Sequence, residues 1–186
     1  MKRRRFLQTT LAATPLVAPP SFSITPERDN KGFKVKAGEG RIHGHIQNKI
    51  NPANTVDVKV SGKDTDGDLF IFEQTGLSAK IAVPLHIHHF QDEIFQVTEG
   101  EYYVQVGEEK YRLTQGDNIF LPRKVPHAWT QVSDKAKMAV ILQPAGKLEE
   151  FFITMSKLKT APTSEEITSI FEAHEMEIVG PRLEID

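Results

Sequence analysis

His86 and His88 are two residues apart in Pro84-Leu85-His86-Ile87-His88, a stretch with the composition of a strand. Side chains alternate faces along a strand, so both imidazoles project from the same side and form a chelating pair. Glu93 follows five residues later at the start of the next apolar segment, and His127 lies 34 residues beyond Glu93, past Gly116 and Pro122. Three imidazoles and one carboxylate suit a single divalent transition ion (iron, manganese, cobalt, nickel, copper or zinc) and leave coordination positions for water or substrate. The chain contains no cysteine, which excludes disulfides, a thiolate site and a cysteine nucleophile, so any metal must be held by nitrogen and oxygen.

The elements that must position these groups are short and apolar. Thr55–Val60, Asp68–Gln74, Lys80–His86, Glu93–Val97, Tyr102–Val106, Asn118–Leu121, His127–Val132 and Met138–Gln143 are each of strand length. Between them lie Gly62-Lys63-Asp64-Thr65-Asp66-Gly67, Glu99-Gly100, Gly107-Glu108-Glu109 and Gln115-Gly116-Asp117, all turn chemistry. Many short strands at this spacing predict an antiparallel sandwich or barrel. Helical spacing is confined to the carboxyl end. There Leu148, Phe151, Phe152, Met155 and Leu158 form one stripe, and Thr163 with Glu166 forms a capping box ahead of Ile167, Ile170 and Phe171. These two helices are expected to cover barrel surface or to help form a homodimer, with their aromatic stripe belonging to the core.

The residues from His86 to His127 resemble the two motifs of the cupin superfamily. His86-x-His88, four residues, Glu93, six residues and Gly100 is similar to the first motif; Gly116, five residues, Pro122 and then His127 is similar to the second. The resemblance implies an all-β double-stranded β-helix, or jelly roll, with the metal inside the barrel on His86, His88, Glu93 and His127. The chain departs from the pattern at three places: Lys80 and Lys124 stand where glycines are usual, and Gln131 where a late asparagine is usual. A left-handed turn at such a lysine would cost roughly 1–2 kcal/mol relative to glycine.

Strand parity also locates a pocket. Phe95 and Val97 are in phase with Glu93, Trp129 and Gln131 are in phase with His127, and Phe72 and Phe120 are expected to join them. An apolar, aromatic lining with a few polar groups suits a small organic substrate. The other histidines are weaker candidates. His43 and His45 form a second spaced pair, but Ile50 stands where a glutamate would be needed; His89 is expected on the face opposite His88, and His174 is expected to be exposed.

The formal charge of -2 from 23 basic and 25 acidic residues hides an asymmetry. Residues 1–23 contain Lys2, Arg3, Arg4 and Arg5 and no acid, which leaves 19 basic against 25 acidic side chains in the remainder. An acidic body offers no basic field for phosphate backbones, so a nucleic-acid partner is not expected. The basic start followed by Phe6-Leu7 and a modest apolar run from Leu11 to Ala18 resembles a twin-arginine export signal, which implies a periplasmic protein; a plain basic tail is the alternative. That run falls short of the ~20 apolar residues a membrane span needs, so stable membrane insertion is not expected. The expected organisation is therefore a signal over 1–23, a linker over 24–40, one barrel over 41–145 and a helical extension over 146–186.

Fold does not choose an activity. The stretch Pro122-Arg123-Lys124-Val125-Pro126-His127-Ala128-Trp129 and the later Pro144-Ala145-Gly146 to Phe151-Phe152 resemble single-domain quercetin 2,3-dioxygenase-like cupins. This implies a dioxygenase for a small enolisable or phenolic, flavonol-like substrate, with Glu93 as both ligand and catalytic base. A non-catalytic metal-containing ligand-binding barrel and a sugar isomerase or epimerase are the competing readings.

Overall fold

Alternating burial along three strands shows how the barrel wall forms. In Phe70–Gly76, Asp92–Glu99 and Ala136–Gln143 every second side chain is buried and its neighbours are more exposed, the period-two signature of a sheet with one covered face. The structure is a computed structural model, and it describes residues 31–48 and 52–185. The expected export signal and the first part of the linker lie outside the described residues.

In chain order the strands are β1 (His45–Gln47), β2 (Asn54–Val60), β3 (Phe70–Gly76), β4 (Pro84–His88), β5 (Asp92–Glu99), β6 (Glu101–Val106), β7 (Glu109–Thr114), β8 (Asn118–Leu121), β9 (His127–Gln131) and β10 (Ala136–Gln143). Helices α1 (Leu148–Lys157) and α2 (Ser164–Ala173) follow, and the last strand is β11 (Met176–Arg182). They form a six-stranded sheet in the order β1-β2-β3-β10-β5-β8 and a five-stranded sheet in the order β11-β4-β9-β6-β7. All pairings are antiparallel, as a jelly roll requires. The core joins both sheets, with Phe72, Phe95 and Val140 from the larger packed in one cluster with Tyr102, Val104 and Trp129 from the smaller.

Register stacks the inward residues into rows. Val58, Phe72, Val140 and Phe95 are direct cross-strand partners, and Val56, Gln74, Met138 and Val97 form the next row. The five-stranded sheet is covered on its outer face as well. Thr130 donates its hydroxyl to the Leu183 carbonyl, and Leu183 packs with Tyr103 and Ala128, so every residue of β9 is buried.

Three strands escaped the sequence reading. β7 is exposed at five of its six positions, and Tyr111 and Leu113 are its only apolar residues, too few to mark a strand. β1 is three residues long. β11 contains Gly180 and Pro181, which read as a turn, yet it is the edge of its sheet, where proline removes no needed donor. The carboxyl extension is thus two helices followed by a strand that returns to the barrel beside β4. The expected strand at Lys80–His86 begins later, at Pro84, because residues 80–83 run along β9 through separate bonds rather than a regular ladder.

The two lysines that replace expected glycines occupy the backbone conformation the glycines would have had. Lys80 and Lys124 both have φ 65°. Their turns are retained because backbone bonds fix them: Lys80 N–H donates to the Gln131 carbonyl and Lys124 N–H to the His88 carbonyl.

Candidate metal centre and its cavity

β4 delivers His86 and His88 to the inside of the barrel, and β9 places His127 directly opposite His86. The ring centroids of His86 and His127 are 4.5 Å apart, and those of His88 and His127 5.3 Å. One nitrogen from each of the three lies within 4.8 Å of the others. Glu93, from β5 in the facing sheet, stands just outside that triangle, with Oε2 3.3 Å from His127 Nε2 and 3.8 Å from His88 Nε2. All four side chains are buried.

Backbone carbonyls set the tautomers. His86 Nδ1 donates to the Pro84 carbonyl at 2.8 Å and His127 Nδ1 to the Val125 carbonyl at 3.0 Å. A carbonyl only accepts, so Nδ1 carries a proton, and in the neutral ring Nε2 presents its lone pair inward. The His88 ring is hydrogen-bonded by Gln91, whose amide in turn donates to Glu175 at 2.7 Å. Burial, followed by the neighbouring imidazoles, pushes His86 and His88 down to about 3, which keeps both neutral and able to act as ligands.

The fit to a metal rests on His127. Its Nε2 is buried and has no hydrogen-bond partner, although the Glu93 carboxylate is nearby. A buried polar atom left without a partner is rare in a folded protein and calls for an explanation. Three imidazoles and a carboxylate converging on one point are a donor set for a borderline divalent cation.

His86, His88 and Glu93 open onto a cavity of about 410 Å³ between the sheets. Of the six side chains expected in it, Phe72, Phe95 and Trp129 line it. Val97 lies deeper, buried in the core cluster. Gln131 is buried, but its amide donates to the Gly76, Ser133 and Asp134 carbonyls, so it clamps strand ends instead of meeting a ligand. A Cβ on Gly76 would fall 1.7 Å from the Gln131 side-chain oxygen, which explains why glycine stands there. Phe120 is 55% exposed. Glu93 pairs with Leu121, so parity turns Leu121 inward and sends Phe120 out beside Ile94.

The terminal helices close this cavity. Leu148, Phe151, Phe152 and Met155 of α1 and Ile167 and Phe171 of α2 all line it, and the Phe171 ring meets the edge of His86 at 5.7 Å. The aromatic stripe read from the sequence as core therefore also forms a wall of the site. α1 is held by Glu149, which accepts from Ser61 Oγ at 2.7 Å and Gly62 N–H at 3.3 Å and meets His43 Nε2 at 2.9 Å. The His43 and His45 pair is used in such contacts, since His45 meets Asp57 at 2.6 Å. His89 is partly exposed, 3.8 Å from Glu177. His174 is not exposed as expected; it is half-buried between the helices, with Nδ1 donating to the Ile170 carbonyl and its ring packed on Phe151.

This architecture and its buried histidine cluster define a cupin-type jelly roll. Residues 78–142 match the family profile described as Cupin domain, which supports placing the barrel in the cupin superfamily. An RmlC-like cupin from Shewanella frigidimarina superposes with a TM-score of 0.50 at 17% identity, covering 64% of this chain and 96% of that one, a likeness of fold. KdgF from Halomonas sp. superposes with a TM-score of 0.46 at 20% identity over 50% of this chain and 80% of its own. Among curated proteins, Uncharacterized protein MJ1618 of Methanocaldococcus jannaschii is 37% identical over 43 residues, which is 23% of this chain and about a third (34%) of the relative's length.

Proposed function

We propose that the chain is a metal-dependent dioxygenase acting on a small enolisable or phenolic substrate of flavonol-like shape. The observation that carries this reading is the placement of Glu93 Oε2 beside the unpartnered His127 Nε2, at one end of a cavity lined by Phe72, Phe95, Trp129, Phe151 and Phe152. His86, His88 and His127, with Glu93 beside them, would hold the ion. When bound, the ion supplies a Lewis-acid centre that polarises a ligand oxygen.

The protein's own groups do the rest. The Pro84 and Val125 carbonyls hold two rings in the ligand-competent tautomer. Glu93 takes the proton of an enol or phenol at Oε2, which requires only that the hydroxyl reach hydrogen-bond distance of that oxygen. The aromatic walls orient a flat ring and α1 and α2 keep water out. Walls this aromatic favour a flat aromatic ligand over a sugar, which argues against the isomerase reading.

Export belongs to the same proposal and rests on Arg3, Arg4, Phe6 and Leu7. Replacing Arg3 and Arg4 by lysine should retain the protein in the cytoplasm, and its appearance outside would remove this part of the proposal. The activity is tested with an oxygen electrode on metal-loaded protein against flavonols and simpler enolisable phenols. Uptake with at least one is expected. No uptake from fully metallated protein would shift the assignment to a binding barrel.

A further inference from the structure

Two polar side chains that the metal centre does not use face the same cavity. Gln74 on β3 is only 3% exposed and its Nε2 has no hydrogen-bond partner. Asn54 on β2 presents a buried Oδ1 that also has none. Both line the cavity. Val56 pairs with Gln74 and Asn54 with Gly76, so the two amides are diagonal neighbours on the inner face of the larger sheet. An unpartnered donor and an unpartnered acceptor stand side by side, next to the apolar Val56 and Phe72 of the same two strands.

Their position relative to the histidines follows from register. Glu93 pairs with Leu142, and Leu142 with Phe70. Gln74 lies four residues further along β3, a distance of about 13 Å at the rise of a strand. Phe72 and Phe95, in one row of the larger sheet on either side of Val140, occupy the interval, so the cavity has a polar histidine end, an aromatic middle and a second polar end.

We propose that Gln74 and Asn54 form a second anchoring point that holds a hydroxyl group at the end of the ligand remote from the histidines. A hydroxyl is the smallest group that accepts one hydrogen bond and donates another. It takes the N–H of Gln74 and gives its own proton to Asn54 Oδ1, satisfying both amides at once. The inference rests on the reading that an aromatic phenol enters the histidine end. It adds that the preferred ligand is a rigid two-ended phenol, with oxygen at both extremities and an unsubstituted aromatic body.

Trp129 lines the cavity and is the single tryptophan, so its fluorescence reports occupancy without turnover. The probes are biphenyl carrying a hydroxyl at each far end and biphenyl carrying one, titrated into metal-loaded full-length protein. Wild type should bind the diol about tenfold more tightly, the scale of satisfying a buried hydrogen-bonding pair. Gln74→Met, close in shape and apolar, should reduce that preference below about threefold while leaving metal content and affinity for the mono-phenol unchanged. Asn54→Leu, on the half-buried neighbouring strand, gives the same reading should Gln74→Met not fold. Equal affinities in wild type would mean that the amides hold only water and would overturn the proposal, as would failure of the diol to bind or a preference that survives both substitutions. Loss of the preference in a protein that consumes no oxygen retains the anchoring point and sinks the dioxygenase. Oxygen consumption with the preference intact in both variants sinks only the anchoring point.

Discussion

His86 and His127 face each other across β4 and β9 as direct strand partners, with ring centroids 4.5 Å apart. Two imidazoles brought this close inside a barrel would repel if both were charged, and burial already disfavours the charged form of His86. Their Nδ1 atoms each donate to a carbonyl two residues earlier in the chain, Pro84 and Val125. The same local device on two strands thus turns both Nε2 atoms to one side.

Glu93 stands outside the three-histidine triangle, so its proposed role as a base can be tested separately from its role in holding the ion. Glu93→Gln is expected to retain most of the metal by mass spectrometry while oxygen uptake falls at least about 100-fold, the usual scale for losing a general base. Parallel loss of metal and activity would make Glu93 a ligand only.

Stability of the metal-free protein should depend on acidity in a defined window. His86 and His88 are pushed from 6.5 down to about 3 in the folded state. Between these values the unfolded chain binds protons that the folded chain refuses, so stability rises with pH and is lost as pH falls from about 6.5 towards 3. Each group contributes at most about 1.4 kcal/mol per pH unit. Urea midpoints measured from pH 7 to pH 5 should fall in the wild-type protein and fall less in a His86→Gln, His88→Gln double variant. Equal slopes would contradict the buried neutral pair.

Glu149 fastens the helical wall to the barrel through Ser61, Gly62 and His43. Hydrogen bonds to a charged group are worth about 1.5–3 kcal/mol. Glu149→Ala should therefore speed amide hydrogen exchange across 148–157 at least tenfold, with much smaller changes in β3, β5 and β10. Uniform acceleration would mean that α1 unfolds only with the whole barrel.

Lys80 and Lys124 adopt a left-handed backbone on exposed turns. Lys80→Gly and Lys124→Gly should each stabilise the protein, by up to about 1 kcal/mol once the greater freedom of glycine in the unfolded chain is set against relief of strain. Alanine at either position should bring no gain, since it shares the Cβ that causes the strain.

Much of the barrel and its metal centre was legible because period-two parity is a local property. It placed His86 with His88 and Phe95 with Glu93, and the resemblance to the second cupin motif brought His127 to them. The misplacement of Phe120 shows where parity fails: it was counted along the strand, but its phase is set by the pairing of Leu121 with Glu93, a long-range register. Gln131 had the right phase, yet carbonyls from neighbouring turns capture its amide, and no local pattern shows this. The helical stripe was visible in the sequence, but that it faces the cavity as well as the core depends on how Glu149 seats α1. Gln74 and Asn54 were invisible as a pair because 20 residues separate them and only the β2–β3 pairing makes them neighbours.

The central claim is that three histidines on two strands hold one ion. Metal content of protein purified without added chelator should be about one transition ion per chain, and a His86→Ala, His127→Ala variant with a wild-type circular dichroism spectrum should retain less than about a tenth of it. A folded variant that keeps its ion would contradict the assignment.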